Sequence, residues 1–202
     1  MRSHHPFPVA VLCLAVVTAV ASLAVSYLDD GNALSTVQIS ALRRFGGTTF
    51  EDLANLEIWR LVSAQLIHAK NEHMMYNAVC LLLVGGLLES RIGALRVLVI
   101  WLVAGGLATL ISPILIPAPW NVGTGASQGV FALSASAAVL VMSGEISGKF
   151  GWPFIAFALV PAQALDLLSA GYPKPGHVSA LFLGLMFGLL FKNRSTLPSD
   201  TA

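Results

Sequence analysis

The sequence predicts an all-α membrane protein with six transmembrane helices, and three observations support this fold class. Of its 202 residues, 56% are hydrophobic and only 10% are charged, whereas a soluble domain carries about 25% charged residues. The mean hydropathy is +0.78. Apolar runs recur along the chain, and the first is long enough to cross the roughly 30 Å hydrocarbon core of a bilayer. The net charge of +1 gives no reason to expect a nucleic-acid partner.

The predicted membrane segments form a single domain over residues 1–202. The first run holds no charged residue and follows Arg2, as in a signal peptide. It is longer than a signal-peptide core, so we expect a retained first helix, with cleavage as the alternative. The six predicted helices cover residues 8–28, 73–88, 95–114, 126–142, 152–168 and 177–191.

Residues 29–72 form the only long polar stretch of the chain, and amphipathic pieces interrupt its charged residues. Trp59 and Arg60 are neighbours in this stretch. Aromatic and basic side chains of this kind are typical of the membrane–water boundary. We therefore predict a long first loop that lies in the membrane interface.

Basic residues in the connections indicate the orientation of the helices, because cytoplasmic loops carry an excess of Lys and Arg. The predicted cytoplasmic set is Arg91, Arg96, Lys149, Lys192 and Arg194. The connections on the opposite side, 112–125 and 170–176, contain one basic residue, Lys174. Both chain ends are thus predicted to be cytoplasmic, and His73, Ser127 and His177 to lie towards the outer side.

A serine between glycines marks the start of the fourth predicted helix. Gly125 and Gly129 lie two residues before and after Ser127. Backbone N–H groups in the first turn of a helix have no intrahelical partner, and the positive end of the helix dipole favours negative charge there. Ser127 would therefore have donors for an oxyanion beside its hydroxyl. The alternative is that these small residues only pack membrane helices together.

His177 opens the last predicted helix, where small residues recur every four positions at Gly176, Ala180, Gly184 and Gly188. Such a ridge lets two helices approach closely. If the ridge meets the Ser127 helix, the imidazole can act as the base that a serine nucleophile requires. Phe131, one turn after Ser127, would then stack on the imidazole. The alternative for His177 is a histidine that caps a helix or lies at the interface.

His73 and Asn77 are four residues apart, so their side chains share one face of a helix. Polar residues in a membrane span usually face the bundle interior or a water-filled cavity. They are candidates for the side-chain donors of an oxyanion site, together with the Ser127 N–H. The alternative is that both only hydrogen-bond neighbouring helices.

No metal or small-molecule cofactor is predicted. His68 and Glu72 precede His73, but the H-E-x-x-H spacing of zinc metalloproteases is absent, and we place both residues at the interface. Asp166 is the only acid well inside a predicted span. One acid cannot supply the paired carboxylates of an aspartyl mechanism.

These motifs, taken together and in their order, resemble the rhomboid family of intramembrane serine proteases. The resemblance rests on Trp59-Arg60, His68-x4-His73-x3-Asn77, the segment 85–93, Gly125-Ala-Ser127-x-Gly129 and His177. It covers most of the chain, from Trp59 to Gly188. Two positions depart from the family pattern: Gln128 and Ala180 stand where many members have glycine.

The resemblance implies a six-helix, rhomboid-like bundle that cuts transmembrane protein substrates within the lipid bilayer. Ser127 would be the nucleophile and His177 the general base and then acid, as a dyad with no third acid. His73, Asn77 and the Ser127 backbone N–H would hold the oxyanion. The supporting residues would be Gly125, Gly129, Phe131, Trp59, Arg60 and Gly184. We expect a multi-pass protein of the bacterial cytoplasmic (inner) membrane.

Two other functions stay open on the sequence. One is a non-proteolytic rhomboid-like adaptor or chaperone that binds transmembrane segments; loss of the serine or histidine would have favoured it, and both are present. The other is a small transporter or channel subunit. It would predict charged or broken helices near the membrane midplane, and only Asp166 and the glycine pairs point that way.

Overall fold

The computed structural model describes residues 8–192, and its regular elements in that range are all helices. The long helices are α1 (Val9–Asp30), α5 (Asn71–Ile92), α6 (Ala94–Ile111) and α8 (Gly148–Ala170). Two shorter apolar helices are α7 (Ser127–Met142) and α9 (Pro175–Phe191), and α2 (Ile39–Arg44), α3 (Phe50–Ala54) and α4 (Arg60–Leu66) lie between α1 and α5. Both chain ends were predicted to be cytoplasmic, and these ends, which include Arg2 and Arg194, lie outside the described residues.

The all-α prediction is confirmed for residues 8–192. The helices α1, α5, α6 and α8 are long and apolar enough to cross a membrane. The helices α7 and α9 have only 16 and 17 residues, whereas a perpendicular span needs about 20. The six-span count therefore stays a prediction. Each of the six apolar helices begins and ends within about four residues of its predicted range.

Helix α7 is the centre of the bundle, with 14 of its 16 residues buried. It packs against α6, α8 and α9. Gly105 of α6 lies so close to Gly129 that a Cβ added to Gly105 would be 2.9 Å from the Gly129 Cα. Both α5 and α6 contain a π-helical turn that ends at a glycine pair. Glycine at position 105 allows a backbone contact with Gly129 that a side chain would prevent.

The small-residue ridge of α9 packs directly on α7. A Cβ on Gly184 would overlap the Ala132 backbone, and one on Gly188 would be 3.0 Å from the Ser136 Cα. The Ser136 hydroxyl donates to the Gly184 carbonyl over 2.7 Å. Ala180 is fully buried in the same ridge, so the alanine is accommodated there. The ridge therefore sets the separation of α7 and α9.

The segment between α1 and α5 is folded by hydrogen bonds among its own residues. Thr49 caps α3, and its N–H and hydroxyl donate to one oxygen of Asp52. Arg43 donates to the other oxygen over 2.9 Å. Burial by itself would raise the pKa of Asp52, but the bonds from Arg43 and Thr49 outweigh burial and lower it. Whether this segment lies in the membrane interface stays a prediction.

Candidate active site

The loop that precedes Ser127 is held by the segment between α1 and α5. Thr48 and Gly123 exchange two backbone hydrogen bonds of 3.0 and 2.8 Å. The Gly125 N–H donates to the Ala64 carbonyl over 2.8 Å, and Gly125 has a φ of +99°, a conformation that favours glycine. These contacts fix the direction in which α7 starts.

His68 is buried in the protein under this loop, and its position at the membrane interface stays a prediction. Its Nε2 accepts the Ala126 N–H over 3.0 Å, and its Nδ1 is 3.0 Å from the Ser22 hydroxyl. An accepting Nε2 leaves the ring proton on Nδ1, which donates to Ser22, and Ser22 donates to the Leu66 carbonyl. The neutral ring thereby joins α1 to the residue before Ser127. The sequence motif included His68, but the spacing of its residues did not predict these hydrogen-bond partners.

We expect His68 to make the protein less stable in acid. Burial, and the nearby His73, lower the pKa of His68 to about 3 from a usual 6.5. The unfolded chain therefore binds a proton that the folded protein excludes, and stability is lost as the pH falls from 6.5 towards 3, by up to about 1.4 kcal/mol per pH unit. Thermal unfolding in detergent measured between about pH 7 and pH 4 should show this slope. His68→Gln should flatten it, and an equal slope in the variant would contradict the assignment.

Ser127 and His177 meet at the contact of α7 and α9. The Ser127 Oγ lies 3.0 Å from the His177 Nε2. The Phe131 ring stacks on the imidazole, with ring centroids 4.1 Å apart and planes inclined by 15°. The two polar side chains are 5% and 4% exposed. This arrangement is a hydroxyl beside a base with a fixed orientation, which is the arrangement that activates a serine nucleophile.

The structure adds an acid to this pair, whereas the resemblance implied none. Asp166 Oδ2 lies 2.5 Å from His177 Nδ1, and Asp166 is 1% exposed. Its helix, α8, ends at Gly171 in the left-handed conformation, and the short connection returns the chain to His177. The signal in the sequence was a lone acid inside a span, which needs a buried partner.

Gln128, one of the two departures from the family pattern, is buried beside Ser127. It is 3% exposed, its Oε1 accepts from the Ser127 hydroxyl over 3.2 Å, and its Nε2 donates to Ser112 over 3.1 Å. The Ser127 proton therefore has two acceptors in this structure, Gln128 and His177.

His73 and Asn77 lie beside the pair on α5. Asn77 is buried, and its Nδ2 donates to the His73 carbonyl over 3.0 Å and lies 3.2 Å from the His68 Nε2. The side chain of His73 lines a cavity of about 420 Å³. The same cavity is lined by Asp166, Lys174 and His177, so it offers space for water next to the imidazole.

The other predicted supporting residues lie beside Ser127 on α7 or in the segment between α1 and α5. Gly129 faces Trp101, whose Cδ1 would be 2.5 Å from an added Cβ. Trp59 is 55% exposed, with the Arg60 guanidinium 4.6 Å from its ring centroid. Arg60 donates to the carbonyls of Arg43 and Gly47 over 2.6 and 2.8 Å. Arg60 thus ties α4 to the loop that holds the start of α7.

A comparison with known proteins places the chain in a family. The family model "Rhomboid domain" matches residues 55–194. That range includes Trp59, His73, Ser127, Asp166 and His177. It also includes α4 to α9, the helices that form the site.

Curated relatives carry the same family name. RHOMBOID-like protein 7 of Arabidopsis thaliana is 26% identical over 165 residues, which are 79% of this chain and 51% of the relative. Rhomboid protease GlpG of Haemophilus influenzae is 24% identical over 153 residues, 66% of this chain and 70% of that protein. Inactive RHOMBOID-like protein 8 of Arabidopsis thaliana is 29% identical over 89 residues, 44% of this chain and 25% of that protein.

The chain spans about half of the length of RHOMBOID-like protein 7 and 34% of RHOMBOID-like protein 4, both from Arabidopsis thaliana. The family match itself extends over more than half of the present chain. The chain belongs to the rhomboid family.

Proposed function

We propose that the chain is an intramembrane serine endopeptidase, which hydrolyses peptide bonds in or near the transmembrane segments of other membrane proteins. One observation carries the proposal: the Ser127 Oγ lies 3.0 Å from the His177 Nε2, buried between two apolar helices. A hydroxyl that can pass its proton to a neighbouring imidazole is a nucleophile for a peptide carbonyl.

In this proposal the reaction runs through an acyl-enzyme. The Ser127 Oγ forms a bond to the carbonyl carbon while its proton moves to the His177 Nε2, and the π electron pair of the carbonyl moves to its oxygen, which becomes the oxyanion. The same proton then passes to the amide nitrogen as the C–N bond breaks and the amine leaves. A water molecule then loses a proton to Nε2 as its oxygen bonds to the ester carbon. The ester C–O bond breaks, the carboxylic acid product leaves, and the proton on Nε2 returns to the Ser127 Oγ. The cavity of about 420 Å³ beside His177 provides the space for this water.

Three donors are proposed to hold the oxyanion. The Ser127 N–H belongs to the first turn of α7, where it points out of the helix end. His73 contributes its ring from the cavity wall. Asn77 contributes its amide after releasing one of its present partners, the His73 carbonyl or the His68 ring. Removing one such donor costs about 10²–10³ in kcat in a soluble serine protease.

The remaining parts of the proposal concern the membrane. A single domain would cross the bilayer six times, with α7 and α9 as short spans and both chain ends cytoplasmic. The Trp59–Arg60 segment would lie at the outer interface, because Leu56, Ile58 and Trp59 are all more than half exposed. Substrate segments would enter from the lipid and be cut near their outer ends. The proposed location is the bacterial inner membrane.

A non-proteolytic adaptor that binds transmembrane segments is the alternative, and one relative gives it a reason. Inactive RHOMBOID-like protein 8 shows by its name that the family includes inactive members. An adaptor would have no need for a base beside Ser127. The two functions therefore differ in the reactivity of this one hydroxyl.

A fluorophosphonate probe tests this difference without a known substrate. We expect the purified protein in detergent to be labelled at Ser127, because His177 can take the proton of that hydroxyl. Ser127→Ala should abolish labelling. The matched control is Ser134→Ala on the same helix, whose buried Oγ has no partner among the described side chains. Failure of the wild-type protein to react would favour the adaptor.

A further inference from the structure

We propose that Asp166 is a positioning residue of the active site, which holds His177 in the tautomer with its proton on Nδ1. The inference rests on the proposed protease function and adds a third member to the Ser127–His177 pair. It departs from the dyad that the family resemblance implied.

The contacts of Asp166 carry this inference. Its Oδ2 accepts from the His177 Nδ1 over 2.5 Å and from the Lys174 backbone N–H over 3.2 Å. Its Oδ1 lies 3.2 Å from the Lys174 ammonium. Both oxygens of a carboxylate that is 1% exposed are thus engaged. A buried charge is tolerated only when it is paired and hydrogen-bonded in this way.

The hydrogen bond to Asp166 places the proton of the neutral His177 ring on Nδ1. Ionised Asp166 can only accept hydrogen bonds, so the bond to Oδ2 requires the proton on Nδ1. The other nitrogen, Nε2, then has a free lone pair directed at the Ser127 hydroxyl. In the opposite tautomer the contact with Asp166 would fail, because Nδ1 would face a carboxylate without a proton. Nε2 would then donate to the Ser127 Oγ and could not take its proton. The carboxylate therefore selects the reactive form of the base.

The same carboxylate also matters after the proton has moved. When Nε2 receives the Ser127 proton, the ring becomes an imidazolium with both nitrogens protonated. Asp166, which stays ionised, then lies beside a full positive charge in a buried site, which stabilises the tetrahedral intermediate. The stacked Phe131 ring restricts the ring plane, and Asp166 restricts the rotation within that plane.

A purely structural role makes a different prediction. Asp166 also accepts the Lys174 backbone N–H and so ties the α8–α9 connection together. If that were its whole function, its loss would lower stability without changing the protonation of His177. The position of the ring proton separates the two roles.

The test combines ring ¹⁵N NMR with kinetics on the full chain in detergent. In wild-type protein labelled with ¹⁵N-histidine, we expect the neutral His177 ring to carry its proton on Nδ1, with the signal assigned by its loss in His177→Gln. Asp166→Asn should populate the other tautomer, because an amide can also donate to Nδ1. It should lower kcat for a transmembrane substrate by about 10²–10⁴ and leave KM within about threefold; the matching change in a soluble serine protease costs about 10⁴.

Glu89→Gln is the matched control for removal of a buried carboxylate. Glu89 accepts the N–H groups of Ala10 and Val11, far along the chain from the site, and it is 6% exposed. Its variant should leave the His177 tautomer and kcat unchanged even if its thermal midpoint falls. This control separates general destabilisation from positioning.

Two results would overturn the inference. One is a wild-type His177 ring that carries its neutral proton on Nε2, a measurement that holds even if Asp166→Asn does not fold. The other is a folded Asp166→Asn protein with wild-type kcat and an unchanged tautomer, while Ser127→Ala remains inactive; this result leaves the protease function intact. Cleavage that survives in Ser127→Ala would instead remove the proposed function itself.

Discussion

His177→Ala is expected to lower kcat for a transmembrane substrate by about 10⁶, the loss that follows removal of the corresponding histidine in a soluble serine protease. The variant removes the only base within reach of the Ser127 Oγ among the described side chains, apart from the amide of Gln128, which cannot take a proton at neutral pH. The measurement is single-turnover cleavage of a fluorescent transmembrane segment in proteoliposomes.

A double variant tests whether Ser127 and His177 act together. Because Ser127 and His177 act as one unit, Ser127→Ala combined with His177→Ala should be no slower than either single variant. A further drop in the double variant would show that the two residues act independently. Equal cleavage by wild-type protein and His177→Ala would end the assignment of His177 as the base.

Gly184→Ala is expected to separate α7 from α9 and thereby disable the site. The added Cβ would overlap the Ala132 backbone, which cannot move aside as a flexible side chain can. Overpacking of a core costs about 1–3 kcal/mol, and a 1 Å displacement of reacting groups can cost about 10² in rate. We expect a lower thermal midpoint together with a loss of fluorophosphonate labelling of about that size.

Gly86→Ala is the control for this substitution. Gly86 is also a helical glycine, but its added Cβ would only touch Pro8, at 3.7 Å or more. Alanine is the better helix former, so this variant should keep its stability and its labelling rate. Wild-type behaviour of Gly184→Ala would show that α7 and α9 can separate without moving Ser127 from His177.

Local signals were sufficient for much of the fold. The charge-free run that became α1 and the glycines around Ser127 each lie within one segment, so hydropathy and spacing were enough to locate them. The ridge on α9 was visible for the same reason, since residues four apart share a helix face. The length of α7, 16 residues, was less informative, because a short apolar helix is compatible with several positions relative to a bilayer.

Contacts between distant segments could not be predicted from the sequence. The partners of His68 were not predicted, because nothing near it in the chain shows that Ser22, Asn77 and Ala126 surround its ring. Asp166 was visible as an unusual acid inside a span, and its distance of eleven residues from His177 suggested nothing by itself. The turn after Gly171 brings the two together.

The sequence alone determined that this chain is helical, belongs in a membrane and carries a serine and a histidine suited to act together, because hydropathy, spacing and residue chemistry are properties of the chain itself. Only the tertiary structure decided which groups hold those two residues. The proton on the His177 ring depends on a carboxylate from another helix, and the start of α7 depends on a buried histidine from the first long connection. Such hydrogen bonds are set by the packing of distant segments, and one-dimensional spacing does not record them.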